Sequence, residues 1–152
     1  MDANRYPLDY DALKDFCERQ GLAIFVNEEL KQLAIPLPDR DGFALRLVPR
    51  TDRGMLTVAF PLPGTIPEDR LEELARAANL LNSRTFLGAW VVNAESQEMY
   101  FRQTVHTEGV LYTDHAVREL LQTVIGTADG LVGRLDLVLK GAPAEALFEA
   151  EA

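Results

Sequence analysis

Between Leu30 and Leu62 the chain holds three apolar-rich runs, Leu30–Leu37, Gly42–Arg50 and Gly54–Leu62, separated by very little. The two connections are Pro38-Asp39-Arg40-Asp41-Gly42 and Thr51-Asp52-Arg53-Gly54, built from residues that tolerate tight turns. Three strands joined by such turns make an antiparallel meander. Pro36 and Pro49 fall near strand ends, where a missing backbone donor marks an edge or a boundary.

Helical patterns flank this meander. Asp9 is placed to cap a helix reaching about Gln20, with Tyr10, Leu13, Phe16 and Cys17 on one face and Gly21 as its stop. Leu22–Val26 reads as a short entry strand. After the meander, Thr65 and Glu68 have capping-box spacing, and Leu71, Leu74, Ala75, Ala78 and Leu81 recur at helical steps as far as Asn82. Two more strands, about Phe86–Asn93 and Gln97–Val105, turn at Ala94-Glu95-Ser96. A last helix opens at Thr113 or Asp114 and runs to about Leu139, before Gly141 and Pro143. The predicted order is α-β-β-β-α-β-β-α. Helices and antiparallel hairpins do not alternate regularly, so the class is α+β.

A chain of 152 residues folded as one unit buries roughly 68–70% of its unfolded surface, enough for a core without staples. One domain over residues 1–152 is therefore expected, with 142–152 a small acidic tail that frays. The apolar residues are dispersed, and no stretch approaches the ~20 needed for a membrane helix. Cys17 is the one cysteine and has no internal disulfide partner. Met1–Pro7 lacks a basic and then apolar leader pattern, so the cytoplasm is the expected compartment.

Charge narrows the partners. Up to Leu62 there are 8 basic and 10 acidic residues; from Pro63 there are 7 and 14, for a net charge of −9 overall. Such a field repels phosphate backbones and anionic lipid, so neither direct nucleic-acid binding nor membrane binding is expected. The locally basic stretch Arg46, Arg50 and Arg53 reads as a solvated edge, with a phosphate site as the alternative.

Catalytic constellations are missing. His106 and His115 lie nine apart, and with Asp114 or Glu119 they lack metal-ligand spacing. Cys17 sits on an apolar stripe, as an inert buried thiol does. Ser83 and Ser96 lie in no nucleophile elbow, and Leu62-Pro63-Gly64-Thr65 lacks the lysine and extra glycines of a phosphate loop. No enzyme, metal or cofactor is expected.

Two features exceed what folding needs. Phe86–Asn93 is apolar on both faces, so it is covered twice, once by the protein's own helices and once by a partner chain or by its own loop or tail. The expected interface residues are Trp90 and Val92 on this strand, with Ala77 and Leu80 on the helix ending at Asn82. Trp90 anchors a dimer if its face points outward; under the protein's own helices it becomes core instead. Secondly, the last helix carries Gly126, Gly130 and Gly133 away from its apolar stripe, each costing ~1 kcal/mol against alanine. They signal either a break around Asp129-Gly130 or a slim face for close approach.

Leu71-Glu72-Glu73-Leu74 leading into Ala78-Asn79-Leu80-Leu81-Asn82, then the hairpin, then Asp114-His115-Ala116-Val117-Arg118-Glu119-Leu120-Leu121, resembles the YbjN family of bacterial regulators. The element order is also similar to that of type III secretion chaperones. The resemblance spans about Asp9–Leu139 and brings no catalytic signature with it. It implies a non-enzymatic, homodimeric, protein-binding adaptor or chaperone-like module. The alternative is a regulatory domain sensing a small ligand in an apolar groove.

Overall fold

The computed structural model describes residues 4–148. Strand β1 (Tyr6–Pro7) precedes helix α1 (Tyr10–Arg19), whose N-terminus is closed by Asp9 accepting from the Ala12 N–H at 2.9 Å. Tyr10, Leu13, Phe16 and Cys17 are its buried residues, the stripe expected from spacing. Strands β2 (Phe25–Asn27), β3 (Gln32–Pro36), β4 (Ala44–Arg50) and β5 (Met55–Pro61) form the meander. Helix α2 (Leu71–Asn82), β6 (Ala89–Asn93), β7 (Glu98–His106), β8 (Leu111–Tyr112), α3 (Asp114–Asp129) and α4 (Val132–Leu139) complete the chain.

Six strands make one antiparallel sheet in the order β2-β3-β4-β5-β7-β6, while β1 and β8 pair separately. The class is α+β, as the irregular helix spacing predicts. Residues directly opposite in an antiparallel ladder project from the same face. Leu33, Ile35, Leu45, Leu47, Leu56, Val58, Phe60, Trp90, Met99 and Phe101 thereby share one face, and all are buried. Helices α2 and α3 pack on that face, and α1 and α4 bring Leu13, Phe16, Leu135 and Val138 into the same core.

Several local expectations are corrected. Helix α2 begins at Leu71, after a 3-10 turn over Glu68–Arg70, and the Thr65–Glu68 box is not its cap. Pro67 holds an extended conformation (φ −57°, ψ 142°), so the chain is not yet helical where the box would close. The buried face of α2 is Leu74, Ala77, Ala78 and Leu81, and Ala75 is exposed. Strand β6 starts at Ala89 rather than Phe86, because Gly88 turns the chain at φ +80°. A Cβ there would lie 2.5 Å from the Arg102 carbonyl oxygen, so the close approach of β6 to β7 requires glycine. Phe86 and Leu87 are left exposed, which removes half of the two-faced apolar strand.

The final helix is broken, not slim: α3 ends at Asp129, capped by Gly130, and α4 begins at Val132. No element approaches within 4 Å of a Cβ built at Gly126 or Gly133. The segment expected to fray is also corrected. Ala144–Phe148 forms a 3-10 turn with Ala144 and Leu147 buried, and the Ala144 N–H donates to Glu73 at 2.6 Å. Residues 149–152 of that segment lie outside the described residues.

Candidate functional site

Two of the four expected interface residues face the protein's own core. Trp90 is 2% exposed, packed against Phe101 with ring centroids 5.3 Å apart, and its indole Nε1 has no hydrogen-bond partner among the described residues. Packing therefore holds the ring. Its backbone is clamped by Asn82, whose Oδ1 accepts from the Trp90 N–H at 2.7 Å while Nδ2 donates to the Trp90 carbonyl at 2.9 Å. Register explains the orientation: Trp90 is opposite Phe101, on the helix-covered face. Ala77 is likewise fully buried. Leu80 and Val92 are half-buried and packed against the core.

The chain's own C-terminal turn occupies part of the α2 surface. It is held by a dense set of polar contacts. Arg70 donates to the carbonyls of Val138 and Ala142 (the latter at 2.8 Å), Arg76 bridges Glu73 and Glu145, and the Arg84 guanidinium lies 3.8 Å from the Phe148 ring centroid. The Ala144 N–H, then Arg76, holds the Glu73 carboxyl below the usual carboxylate value. These contacts join residues about seventy positions apart, and no local pattern announces them.

Exposed apolar residues gather at the two ends of the six-stranded sheet, with Val110 and Leu111 at β8 and Leu137 on α4 lying elsewhere. At one end of the sheet, Leu22, Phe25, Val26 and Leu30 lie on and around edge strand β2, with Phe25 70% exposed. Leu22 also lines a groove of about 320 Å³ formed with Phe16, Ile35, Leu45, Leu121 and Ile125 between α1, β3 and α3. At the opposite end, Phe86 and Leu87 sit in the loop joining α2 to edge strand β6. A separate apolar cavity of about 430 Å³ lies beside α4, lined by Phe43, Leu62, Ile66, Leu74, Met99 and Leu135.

Titratable groups are placed for structure. Burial pushes the Cys17 thiol up to about 11, well away from a reactive thiolate. His106 ends β7, while His115 stands in the first turn of α3, 3.8 Å from Glu119. Among the described residues, no group of three or more His, Cys, Asp or Glu side chains is placed to hold a metal ion. Asp114 accepts from the Tyr6 hydroxyl at 2.5 Å and pairs with Arg19, tying β1, α1 and α3 together. The Arg19 guanidinium, then the Tyr6 hydroxyl, holds the Asp114 carboxyl below its ordinary value. Burial and the bond to Asp114 push the Tyr6 phenol up to about 12.

The sheet face turned away from the helices carries the basic stretch noted in the sequence and adds one residue to it. Arg46, Arg50 and Arg53 are exposed, and Arg102 of β7 joins them because Arg46 and Arg102 both lie opposite Ala59. Arg50, Arg53 and Arg102 line a groove of about 470 Å³ over Met55, Thr57 and Thr104. The two threonine hydroxyls are 2.9 Å apart and satisfy each other. Arg102 is 49 residues beyond Arg53, so only the strand register reveals the cluster.

Comparison with known proteins fits this architecture. No curated protein sequence matches the chain. Among the described residues, no helix is long and apolar enough to cross a membrane. The crystal structure of YbjN from E. coli, titled "a putative transcription regulator", superposes with a TM-score of 0.72 at 11% identity, covering 88% of this chain and 95% of that one. ExsC in the ExsC–ExsE complex superposes with a TM-score of 0.51 at 14% identity, covering 90% and 98%. The HopA1–SchA chaperone–effector complex gives 0.49 at 21% identity, covering 84% and 97%. The fold is thus that of E. coli YbjN and of ExsC. Residues 9–143 match the family model described as "Putative bacterial sensory transduction regulator", and the chain belongs to the YbjN family.

Proposed function

We propose that this chain is a non-enzymatic, cytoplasmic adaptor or chaperone-like module that binds another protein and works as a homodimer. One observation carries the reading: an apolar groove beside an exposed apolar sheet edge, with Leu22 belonging to both. Contiguous exposed apolar surface of this kind marks interaction sites. The likeness to ExsC, whose structure contains ExsE, supports the same reading. The groove suits apolar side chains of a client segment, and the free edge of β2 offers backbone donors and acceptors beside it.

The dimer is proposed at the other end of the sheet. Half-buried Leu80 and Val92, on the packed pair α2 and β6, and exposed Phe86 and Leu87 between them form the apolar surface remaining there. A twofold axis lets such a patch cover itself. Light scattering checks this: wild type is expected as a dimer at tens of micromolar, and Phe86→Asp/Leu87→Asp as a folded monomer. A monodisperse wild-type monomer ends the dimer proposal.

The groove is tested by copurification. Leu22→Asp/Val26→Asp, at two positions each more than a third exposed, keeps the fold and loses the stoichiometric protein partner that wild type retains. A second reading, a regulatory domain sensing a small molecule, is favoured by the 430 Å³ apolar cavity beside α4. Mass spectrometry of the denatured preparation separates the two, since a copurified small molecule and no protein favours the second.

A further inference from the structure

We infer that the helix-free face of the sheet is a docking surface for an extended acidic segment of another protein, whose carboxylates pair with Arg46 and Arg102. The register places one row of residues across all six strands of the sheet: Phe25, Ala34, Arg46, Ala59, Arg102 and Ala89. Long and small side chains alternate along it from β3 to β6. Ala59, although on the helix-free face, is only 6% exposed, being low between the two arginines. The row therefore presents two guanidinium groups on either side of a shallow floor, with an exposed aromatic ring at one end.

The arginines are available. Lys14, Arg19, Lys31, Arg40, Arg76 and Lys140 each meet a carboxylate elsewhere on the molecule. Arg46, Arg50, Arg53 and Arg102 form no ion pair with any described residue, in a chain whose 24 carboxylates outnumber its 15 lysines and arginines. Arg5, Arg70, Arg84 and Arg118 also lack one, but Arg46, Arg50, Arg53 and Arg102 gather at one face of the sheet. Asp52 and Glu98, the carboxylates on the same turn and strand, and Glu108, whose carboxylate lies beside Gly54 next to Arg53, leave this cluster unpaired as well. A planar guanidinium matches a carboxylate through two parallel hydrogen bonds, so four exposed ones on a single face constitute an acceptor-seeking surface.

Dimensions select the occupant. At ~4.8 Å between strands, Arg46 and Arg102 lie roughly 10 Å apart, and Arg46 and Arg50 roughly 13 Å apart along β4 at ~3.3 Å per residue. One small anion cannot reach all of them, whereas a peptide crossing the strands can. A second copy related by a twofold axis would set these arginines against themselves, which like-charge repulsion opposes. A nucleic acid would meet the net charge of −9 on the rest of the chain. An acidic segment of a partner avoids the self-repulsion, and with only a few carboxylates it meets the field of the rest of the chain far less than a phosphate backbone carrying one charge per ~1.7 Å of duplex. In the polyproline II form, with three residues per turn and ~3.1 Å per residue, two carboxylates three positions apart stand roughly 9 Å apart on one side, and an apolar residue three positions further on reaches Phe25.

This surface is distinct from the groove at Leu22, so either can fail alone. The test is selection of peptides about twelve residues long, more than enough to cross six strands, from a display library on the full chain. Enriched sequences are expected to carry the paired acidic residues with the flanking apolar one. By fluorescence anisotropy at physiological salt, the enriched peptide should bind at least about tenfold more weakly to Arg46→Glu/Arg102→Glu, with an unchanged circular dichroism spectrum. Arg46→Lys/Arg102→Lys should lose less. On wild type, affinity should fall as salt rises, a check that needs no variant. A Leu22→Asn variant, uncharged and altered in the groove but not in the β2 row, should bind this peptide as wild type does. Enrichment without acidic residues, equal binding by the charge-reversed variant, or an oligonucleotide of equal charge binding as tightly would overturn the inference.

Discussion

The two faces of the six-stranded sheet are made from the same strands and have opposite chemistry. On the covered face, Leu33, Leu47, Leu56, Phe60, Met99 and Phe101 are nearly inaccessible beneath the helices. On the other, Ala34, Arg46, Thr57, Ala59, Arg102 and Thr104 alternate small and long side chains, and the arginines reach into solvent without carboxylate partners. The covered face supplies the transfer of apolar surface out of water that stabilises the fold. The open face adds little to that, which leaves its side chains free to recognise something else. Stability and recognition are thereby separable at adjacent residues of one strand.

That separation is broken most severely at Trp90. Removing a fully buried indole from a packed core should cost roughly 3–5 kcal/mol, read as a fall in the denaturant midpoint. If Trp90→Ala instead unfolds at the wild-type midpoint, the ring does not belong to the covered face. A smaller loss, about 1–3 kcal/mol, is expected for Asn82→Ala, which strips both side-chain hydrogen bonds from the Trp90 backbone on an edge strand.

Below that comes the Tyr6–Asp114–Arg19 cluster. The Asp114 carboxyl titrates lower in the folded protein than in the unfolded chain, because Arg19 and then Tyr6 favour its charged form. Its contribution is present above the unfolded value of ~3.9 and is lost as pH falls through the lower folded value. Asp114 and Arg19 are partly exposed, so Asp114→Asn should remove well under about 1 kcal/mol at neutral pH and flatten the acid limb of the stability curve. A variant as acid-sensitive as wild type would contradict the assignment. The smallest effect sharpens the contrast: Arg102→Glu, one residue from buried Phe101, should change stability by no more than about 0.5 kcal/mol.

What could be read from the sequence followed how local each cause was. Helix α1 was legible in full, since Asp9, its stripe and Gly21 all act within one helix. The meander was legible because short turns leave few alternatives. The start of α2 misled, as Thr65 and Glu68 have capping spacing but Pro67 is extended between them. Its buried face shifted from Ala75 to Ala77, and the turn at Ala144–Phe148, some seventy residues later, packs against α2. The β1–β8 pair joins Tyr6 to Tyr112 and has only two residues a side, too little for any periodicity.

The binding surfaces were legible only in pieces. Arg46, Arg50 and Arg53 stood out as a basic stretch, but Arg102 entered through the pairing of Ala59 with both strands. Trp90 and Ala77 looked available because their apolar character is visible while the side they face is not. Phe86 and Leu87 read as strand, and it was the turn at Gly88 that put them in solvent.

The most direct test of protein binding by this module is native mass spectrometry of the full chain, tagged and purified gently from the cells that make it. The account predicts the mass of a homodimer carrying a second protein in fixed stoichiometry, with that protein absent from the Leu22→Asp/Val26→Asp preparation. A bare chain, or one bearing only a small molecule, would contradict it.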